Sequence, residues 1–228
     1  MATKIIVSYD GTDNDRDALA LGHLLAGAGA SLELAYVRHA HEAETGRERL
    51  AENEAEAMLK AGAESVGLPD IPQHVVFSAS TAEGLRDLAL GREADIVVFG
   101  SEYRTARGHV DPQATARRLL DGSRFALALA PSGFAEQTGY KVSTVAAVRE
   151  NGDPSATETA ESLAGRLGAS VAPEASRDVE LLVVGSTPGT VTGRVRLSAA
   201  AEYLIELARC PVIVLPRGVP VLFRGEAP

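Results

Sequence analysis

Tryptophan is missing from this 228-residue chain, and tyrosine and phenylalanine number five each. With aromatics at 4% and hydrophobic residues at 45%, the interior has to be built from Ala, Val, Leu and Ile. A single cysteine, Cys210, excludes an internal disulfide. Set before Pro211 at the head of an apolar run, it reads as a small buried hydrophobe rather than a nucleophile. Positive charge is in deficit. A net charge of −9 offers no basic surface to nucleic acid or to an anionic membrane. No apolar run approaches the roughly 20 residues of a membrane span, and the opening MATKIIVSYDG enters a strand without a signal-peptide pattern. These absences give the expectation of a soluble, cytoplasmic protein. Catalytic signatures are lacking too. There is no GxxxxGK(S/T) for P-loop ATPase chemistry, and no Ser/His/Asp set that spacing alone identifies. Arg38-His39-Ala40-His41 has no acidic or cysteine partner at metal-ligand spacing and reads as a solvated loop, and His23 and His109 are isolated. The expectation is a protein without metal or catalytic residues, not an enzyme.

What the chain does have is a stretch that occurs twice. Residues 94–131, ADIVVFGSEYRTARGHVDPQATARRLLDGSRFALALAP, and 179–216, VELLVVGSTPGTVTGRVRLSAAAEYLIELARCPVIVLP, share one layout. Each is an apolar strand ending in Gly-Ser, a Gly-containing loop, an amphipathic helix and a second apolar strand ending in Pro. Gly100 falls on Gly185, Leu119 on Leu204, Arg124 on Arg209 and Pro131 on Pro216, always 85 positions apart. A repeat of this kind sets the architecture.

Strand and helix patterns alternate from the start. Strands are expected at 4–9, 31–37, 73–78, 95–100 and 125–130. Helices are expected at 13–28, 41–66, 81–91 (capped by Ser80) and 113–121. The strands are nearly continuous apolar runs, as parallel strands buried on both faces are, and alternation means right-handed crossovers and an α/β fold. Residues 132–140, SGFAEQTGY, read as a polar linker, and a second unit starts at Lys141. Its opening matches the chain start at a different spacing, with Gly29-Ala30-Ser31 on Gly168-Ala169-Ser170, 139 apart. Since 139 exceeds 85 by 54, the second copy lacks 54 residues after residue 171, where the first has most of its second strand and the next three elements. The apolar tail 217–228 is expected to cover an exposed sheet edge.

VSYDG after the first strand, AEGLRDLA before the fourth, and ADIVVFGS…TARRLLDGS…ALALAP together resemble the universal stress protein family, in its tandem form with a shortened second domain. The resemblance covers most of residues 3–131 and, abbreviated, 141–216. It implies domains at 1–131 and 141–216 followed by the 217–228 tail. Each domain would carry an open parallel five-stranded sheet, order 3-2-1-4-5, with helices on both faces. It also implies that the fifth strands, 125–130 and 211–215, pair inside the chain as a pseudo-dimer. Two chains are expected to associate as a homodimer, and any further protein partner stays unnamed.

In such a sheet, ligands bind at the carboxyl ends of the strands where strand order reverses. In the first copy those ends are Tyr9-Asp10-Gly11 and Phe99-Gly100-Ser101. The resemblance puts the base of ATP or AMP near Asp10, as acceptor, and the backbone of Val37. Phosphates would lie over the 101–112 loop and the helix start near Gln113. The family's nucleotide binders show Gly, two residues, Gly, nine residues, Gly, then Ser or Thr. Gly100 keeps the first position, but Tyr103 stands at the second Gly and Gln113-Ala114 at the Gly-Ser. Arg104, Gly108 and Thr115 are partial substitutes. Asp10-Gly11-Thr12 has a plainer reading as a turn and helix cap. Two functions stay open: a non-enzymatic stress protein holding an adenine nucleotide in its first domain, or a nucleotide-free scaffold of the same fold. In the second copy Arg149 replaces Asp10, Pro188 the second Gly, and Ser198-Ala199 the Gly-Ser, so no nucleotide is expected there.

Overall fold

The structure, a computed structural model, describes residues 2–39, 47–149, 152–172 and 179–224. The expected helix start at 41–46, Ala40-His41 of the histidine pair and the tail end 225–228 lie outside the described residues. Strands β1 (Thr3–Ser8), β2 (Ala30–His39), β3 (Gln73–Ser78), β4 (Ile96–Phe99) and β5 (Ala126–Leu129) alternate with helices α1 (Asp13–Gly27), α2 (Arg47–Ser65), α3 (Thr81–Arg92) and α4 (Ala114–Leu120). After a 3-10 turn at Phe134–Glu136 come β6 (Thr144–Val148), α5 (Ser155–Leu167), β7 (Ser170–Ala172), β8 (Leu181–Val184), α6 (Ala199–Leu207) and β9 (Val212–Val214).

All nine strands belong to one sheet, in the order β3-β2-β1-β4-β5-β9-β8-β6-β7. Every pair is parallel except one. β5 meets β9 antiparallel, Leu127 opposite Val214, Ala128 opposite Ile213 and Leu129 opposite Val212. The sheet is therefore larger than a five-stranded one, and mixed.

Alternation along each strand sorts the core into two layers. Ile5, Val7, Ile96, Val98, Ala128, Ile213 and Val183 face the side covered by Leu21 and Leu25 of α1, Leu59 of α2 and Leu163 of α5. Ile6, Val97, Phe99, Leu127, Val214 and Val184 face Leu85 of α3, Leu119 of α4 and Ile205 of α6. Both layers run unbroken through the β5/β9 join. On β2 a charged residue, Glu33, is buried. It is neutralised by Arg92, whose Nε and Nη2 donate at 3.0 and 2.8 Å, with His74 Nε2 at 2.7 Å. The Ser80 hydroxyl accepts from the Glu83 amide at 3.2 Å and caps α3.

The repeat is visible in individual hydrogen bonds. Ser101 Oγ donates to the Ala130 carbonyl at 2.7 Å and accepts from the Asp111 amide at 3.2 Å. Ser186 Oγ, 85 positions on, donates to the Leu215 carbonyl at 2.6 Å and accepts from the Arg196 amide at 3.1 Å. The loop after Ser186 also bonds to the turn between α4 and β5, Gly122 N to Val195 O and Val195 N to Ser123 O, both at 2.9 Å.

One expectation is extended and one corrected. The 132–140 segment is a polar connection exposed over 135–139, but it is pinned to the core at its start. Phe134 is buried in the core, edge-on to Tyr140 at 4.8 Å, and the carboxylate of Asp17 accepts from the amides of Gly133 (2.7 Å) and Ala135 (2.8 Å). The tail does not cover a sheet edge. Its Val221 and Phe223 are buried, and their amides donate to Thr159 Oγ1 and Ser162 Oγ of α5, both at 2.9 Å. Alternating Val and Phe fit a helix face as well as a strand edge, so composition could not separate the two.

Asp17 is only 5% exposed, and removing its carboxylate strands two amides. Asp17→Ala should cost about 2–4 kcal/mol and lower Tm by roughly 5–10 °C. Thermal unfolding followed by circular dichroism measures this, and an unchanged Tm would contradict the role.

Candidate functional site

β1 stops beside β2 early. The last register pair is Ser8 with Ala35, after which the Tyr9 amide donates to the Ala35 carbonyl at 2.9 Å and the chain turns off into α1. β2 runs on to His39. The space this leaves at the carboxyl ends of the strands, roofed by α2, is a cavity of about 630 Å³. Its lining includes Ser8, Tyr9, Asp10, Asp15, Ala35, Val37, Arg38, Met58, Gln113 and Thr115. That volume is in the range of small-molecule sites. The side chains of Ala35 and Val37 are buried on the α3 face, so these residues meet the cavity with their main chain.

The turn into α1 is built from carboxylates. Asp10 Oδ1 accepts from the Thr12 amide at 3.2 Å, an Asx turn, and Gly11 has φ +82°, a conformation that favours glycine. Thr12 occupies the N-cap position without using its side chain. One turn on, Asp15 reaches back and accepts from the Asp10 amide at 2.6 Å. The Asp10 and Asp15 carboxyls also hydrogen-bond each other. That bond holds Asp10 below the ordinary carboxylate range. Burial, reinforced by the bond to and the charge of Asp10, pushes Asp15 up to about 8. Near neutral pH the pair shares one proton, held on Asp15, the more deeply buried partner.

Of the residues expected at the site, Tyr9, Asp10, Val37 and Thr115 line the cavity. Gly11 sits beside it, where a Cβ would lie 3.0 Å from Met58 Sδ. Gly100, Ser101, Arg104 and Gly108 do not line it. A Cβ on Gly100 would fall 1.9 Å from the Asn14 carbonyl oxygen, so the glycine makes room for α1. Ser101 is buried, with its hydroxyl committed to the loop, and Ser101 and Pro112 form a bridge that closes the loop on itself. The Gly108 amide donates to Ser132 O at 2.8 Å, on the side of the 132–140 segment. Gln113 precedes an α4 of only seven residues, and its side-chain amide donates to Ser101 O at 3.4 Å.

Asp15 and Met58 enter the site without having been singled out in the sequence, while Gln113 lines it from the place of the degenerate Gly-Ser, and Arg38, expected in a solvated loop, is buried at the end of β2. Asp15 was hidden among Asp13, Asp15 and Asp17, because acidic residues in a first helical turn are ordinary partners of the helix dipole. Burial separates Asp13 from the other two, and their partners, the Asp10 amide for Asp15 and the Gly133 and Ala135 amides for Asp17, separate those two. Arg38 lies over the Phe77 ring at 5.3 Å. Burial raises the Cys210 thiol to about 12. Among the described residues, no group of three or more His, Cys, Asp or Glu side chains converges as a metal site. No described helix is long and apolar enough to cross a membrane.

Comparison with known proteins follows the same lines. Residues 1–123, more than half of the chain, match the model of the universal stress protein family. No curated protein matches. A functionally unknown protein from Pseudomonas aeruginosa PAO1 superposes on 95% of this chain and 93% of its own, with TM-score 0.63 and 12% identity. A universal stress protein from Archaeoglobus fulgidus DSM 4304 covers 94% of this chain and 98% of its own, with TM-score 0.59 and 15% identity. At such identities these two speak for the fold alone. A universal stress protein solved in complex with cAMP covers 42% of this chain and 75% of its own, at TM-score 0.36 and 22% identity, a likeness too slight to inform on ligands. The parallel strands, the switch-point crevice and the match over residues 1–123 make this chain a member of the universal stress protein family.

Proposed function

We propose that the chain is a non-enzymatic, cytoplasmic stress-response protein made of two copies of one unit, complete at 1–131 and shortened at 141–216, and that the first copy holds an adenine compound. The repeat of 85 positions, carried into the Ser101 and Ser186 bonds, supports two copies. The β5/β9 pair supports reading them as a pseudo-dimer within one chain. The observation that carries ligand binding is the cavity at the ends of β1 and β2. Its Val37 backbone, past the Tyr9–Ala35 bond, offers a donor and an acceptor to a base, and its carboxyl pair offers acceptors to the exocyclic amine or ribose of an adenine compound, ATP and AMP included.

The second copy, with Arg149 at the place of Asp10 and Pro188 in the loop, serves as the partner that covers the β5 edge. Isothermal titration with adenosine, AMP, ATP and cAMP tests the reading. At least one should bind in the micromolar to millimolar range, and Asp10→Ala should weaken it at least tenfold. Failure of all four at millimolar concentration would overturn it. The scaffold reading, free of nucleotide, is favoured by one specific observation, the closed loop around Ser101. It predicts that last outcome.

A further inference from the structure

We propose that the cavity takes an uncharged adenine nucleoside in preference to its phosphorylated forms. The inference rests on the adenine reading above and narrows it to a ligand class. The groups that would meet a base or ribose are in place. Val37, beyond the Tyr9–Ala35 bond, is the residue of β2 whose main chain can meet a base, and the Asp10 carboxylate lines the cavity. The groups that would meet phosphate are not. With Asp15 holding its proton, the lining carries two carboxylates, Asp10 and Glu54, against one basic side chain, Arg38, which is buried with its guanidinium over Phe77. A phosphate dianion brought there meets net negative charge in a partly desolvated space.

The loop that could have offset this is closed. Its Ser101 hydroxyl is spent on Ala130 and Asp111, its Glu102 carboxylate accepts from the Tyr103 amide at 3.0 Å, and Arg117 pairs with Asp111. Tyr103, at a position where a glycine would let phosphate approach the backbone, is 81% exposed. Arg104 and Arg107 lie outside the lining, and Arg107 is paired with Glu136. Helix α4, with seven residues, is too short to supply much dipole.

The test is a titration of the full chain with adenosine, AMP and ATP at pH 7 and low salt, with and without magnesium. Adenosine should bind at least tenfold more tightly than AMP and ATP. In Glu54→Gln, a change at the exposed rim, the gap between adenosine and AMP should narrow by a few fold. AMP or ATP binding within tenfold of adenosine, or tighter, overturns this inference and leaves the adenine reading standing. Failure of all three to bind overturns this inference, and failure of cAMP as well overturns the adenine reading.

Discussion

Gly100→Ala is expected to cost about 4 kcal/mol or more, enough to prevent stable folding. The added methyl would sit 1.9 Å from the carbonyl oxygen and 2.7 Å from the carbonyl carbon of Asn14. These are backbone atoms in the first turn of α1, so no rotamer change relieves the clash. The helix start would have to move. Asp15, one residue on, would be pulled from the Asp10 amide it accepts at 2.6 Å, and Asp17 from Gly133 and Ala135. Overpacking that meets side chains costs about 1–3 kcal/mol, and a collision with main chain belongs above that range. Gly91→Ala is the control. Nothing lies within 4 Å of a Cβ there, and the residue is inside α3, so the change should be neutral or stabilise by up to about 1 kcal/mol. Circular dichroism melts of the two variants decide the matter. A Gly100→Ala protein that melts with the wild type would show that α1 does not approach this strand as described.

Between pH 5 and pH 9 the wild-type protein should lose about 3 kcal/mol, or roughly 6–12 °C in Tm, that Asp15→Asn retains. Burial and the neighbouring Asp10 raise Asp15 from the ordinary 3.8 to about 8. A carboxyl whose pKa is raised on folding binds its proton more tightly in the native state than in the unfolded chain. Its contribution is therefore present at low pH and is lost as pH climbs from about 4 to about 8. Half of that rise already corresponds to about 3 kcal/mol. Asp10 works in the opposite sense, because its folded pKa is lowered and its contribution is lost only as pH falls below the ordinary carboxylate range. Around the pair, Tyr9, Arg38 and Glu54 line the same cavity, and Asp13, Arg16 and Asp17 lie on the same turns of α1. Arg16 is exposed and bridged to Asp13 at 3.1 Å, and burial raises the Tyr9 phenol further above its ordinary 10, so the phenol stays uncharged in this window. The carboxamide introduced by Asp15→Asn would keep an acceptor for the Asp10 amide and a donor for the Asp10 carboxylate without ionising. Melting curves of both proteins across the range check this. Parallel curves would mean that the pair does not share a proton.

Much of the fold could be read from spacing. Apolar runs such as Ile96–Phe99 and Leu181–Val184 are buried on both faces, and a strand of that kind leaves little else possible. Ser80 followed by Glu83 marked the start of α3. The floor of the site was legible for a similar reason, since Asp-Gly after a buried strand is a turn at a crevice. The roles of Gly100 and Asp15 were not. A glycine that admits a phosphate and a glycine that admits a helix carbonyl look the same in a sequence. Asp13 and Asp15 differ only in which way the helix faces them, and Asp15 is 5% exposed while Asp13 is solvated. The 132–140 segment is polar and mostly exposed, as its composition reads, but its anchoring was not legible. Its polar residues are turn formers around one buried Phe134, and the amides they expose are met by Asp17, more than a hundred residues away in sequence.

The antiparallel join of β5 and β9 also settles the symmetry open to any larger assembly built by extending the sheet. With those strands spent on each other, the two outer strands are β3, six residues long, and β7, three residues long, and they are unlike. Contact of β3 with β3 puts the same patch on both sides of a two-fold axis and ends at two molecules. Contact of β3 with β7 is head-to-tail and leaves an edge of each kind open, which is the geometry of a growing filament. Among the described residues β7 offers three, a poor template for main-chain pairing, so the head-to-tail contact is the weaker of the two.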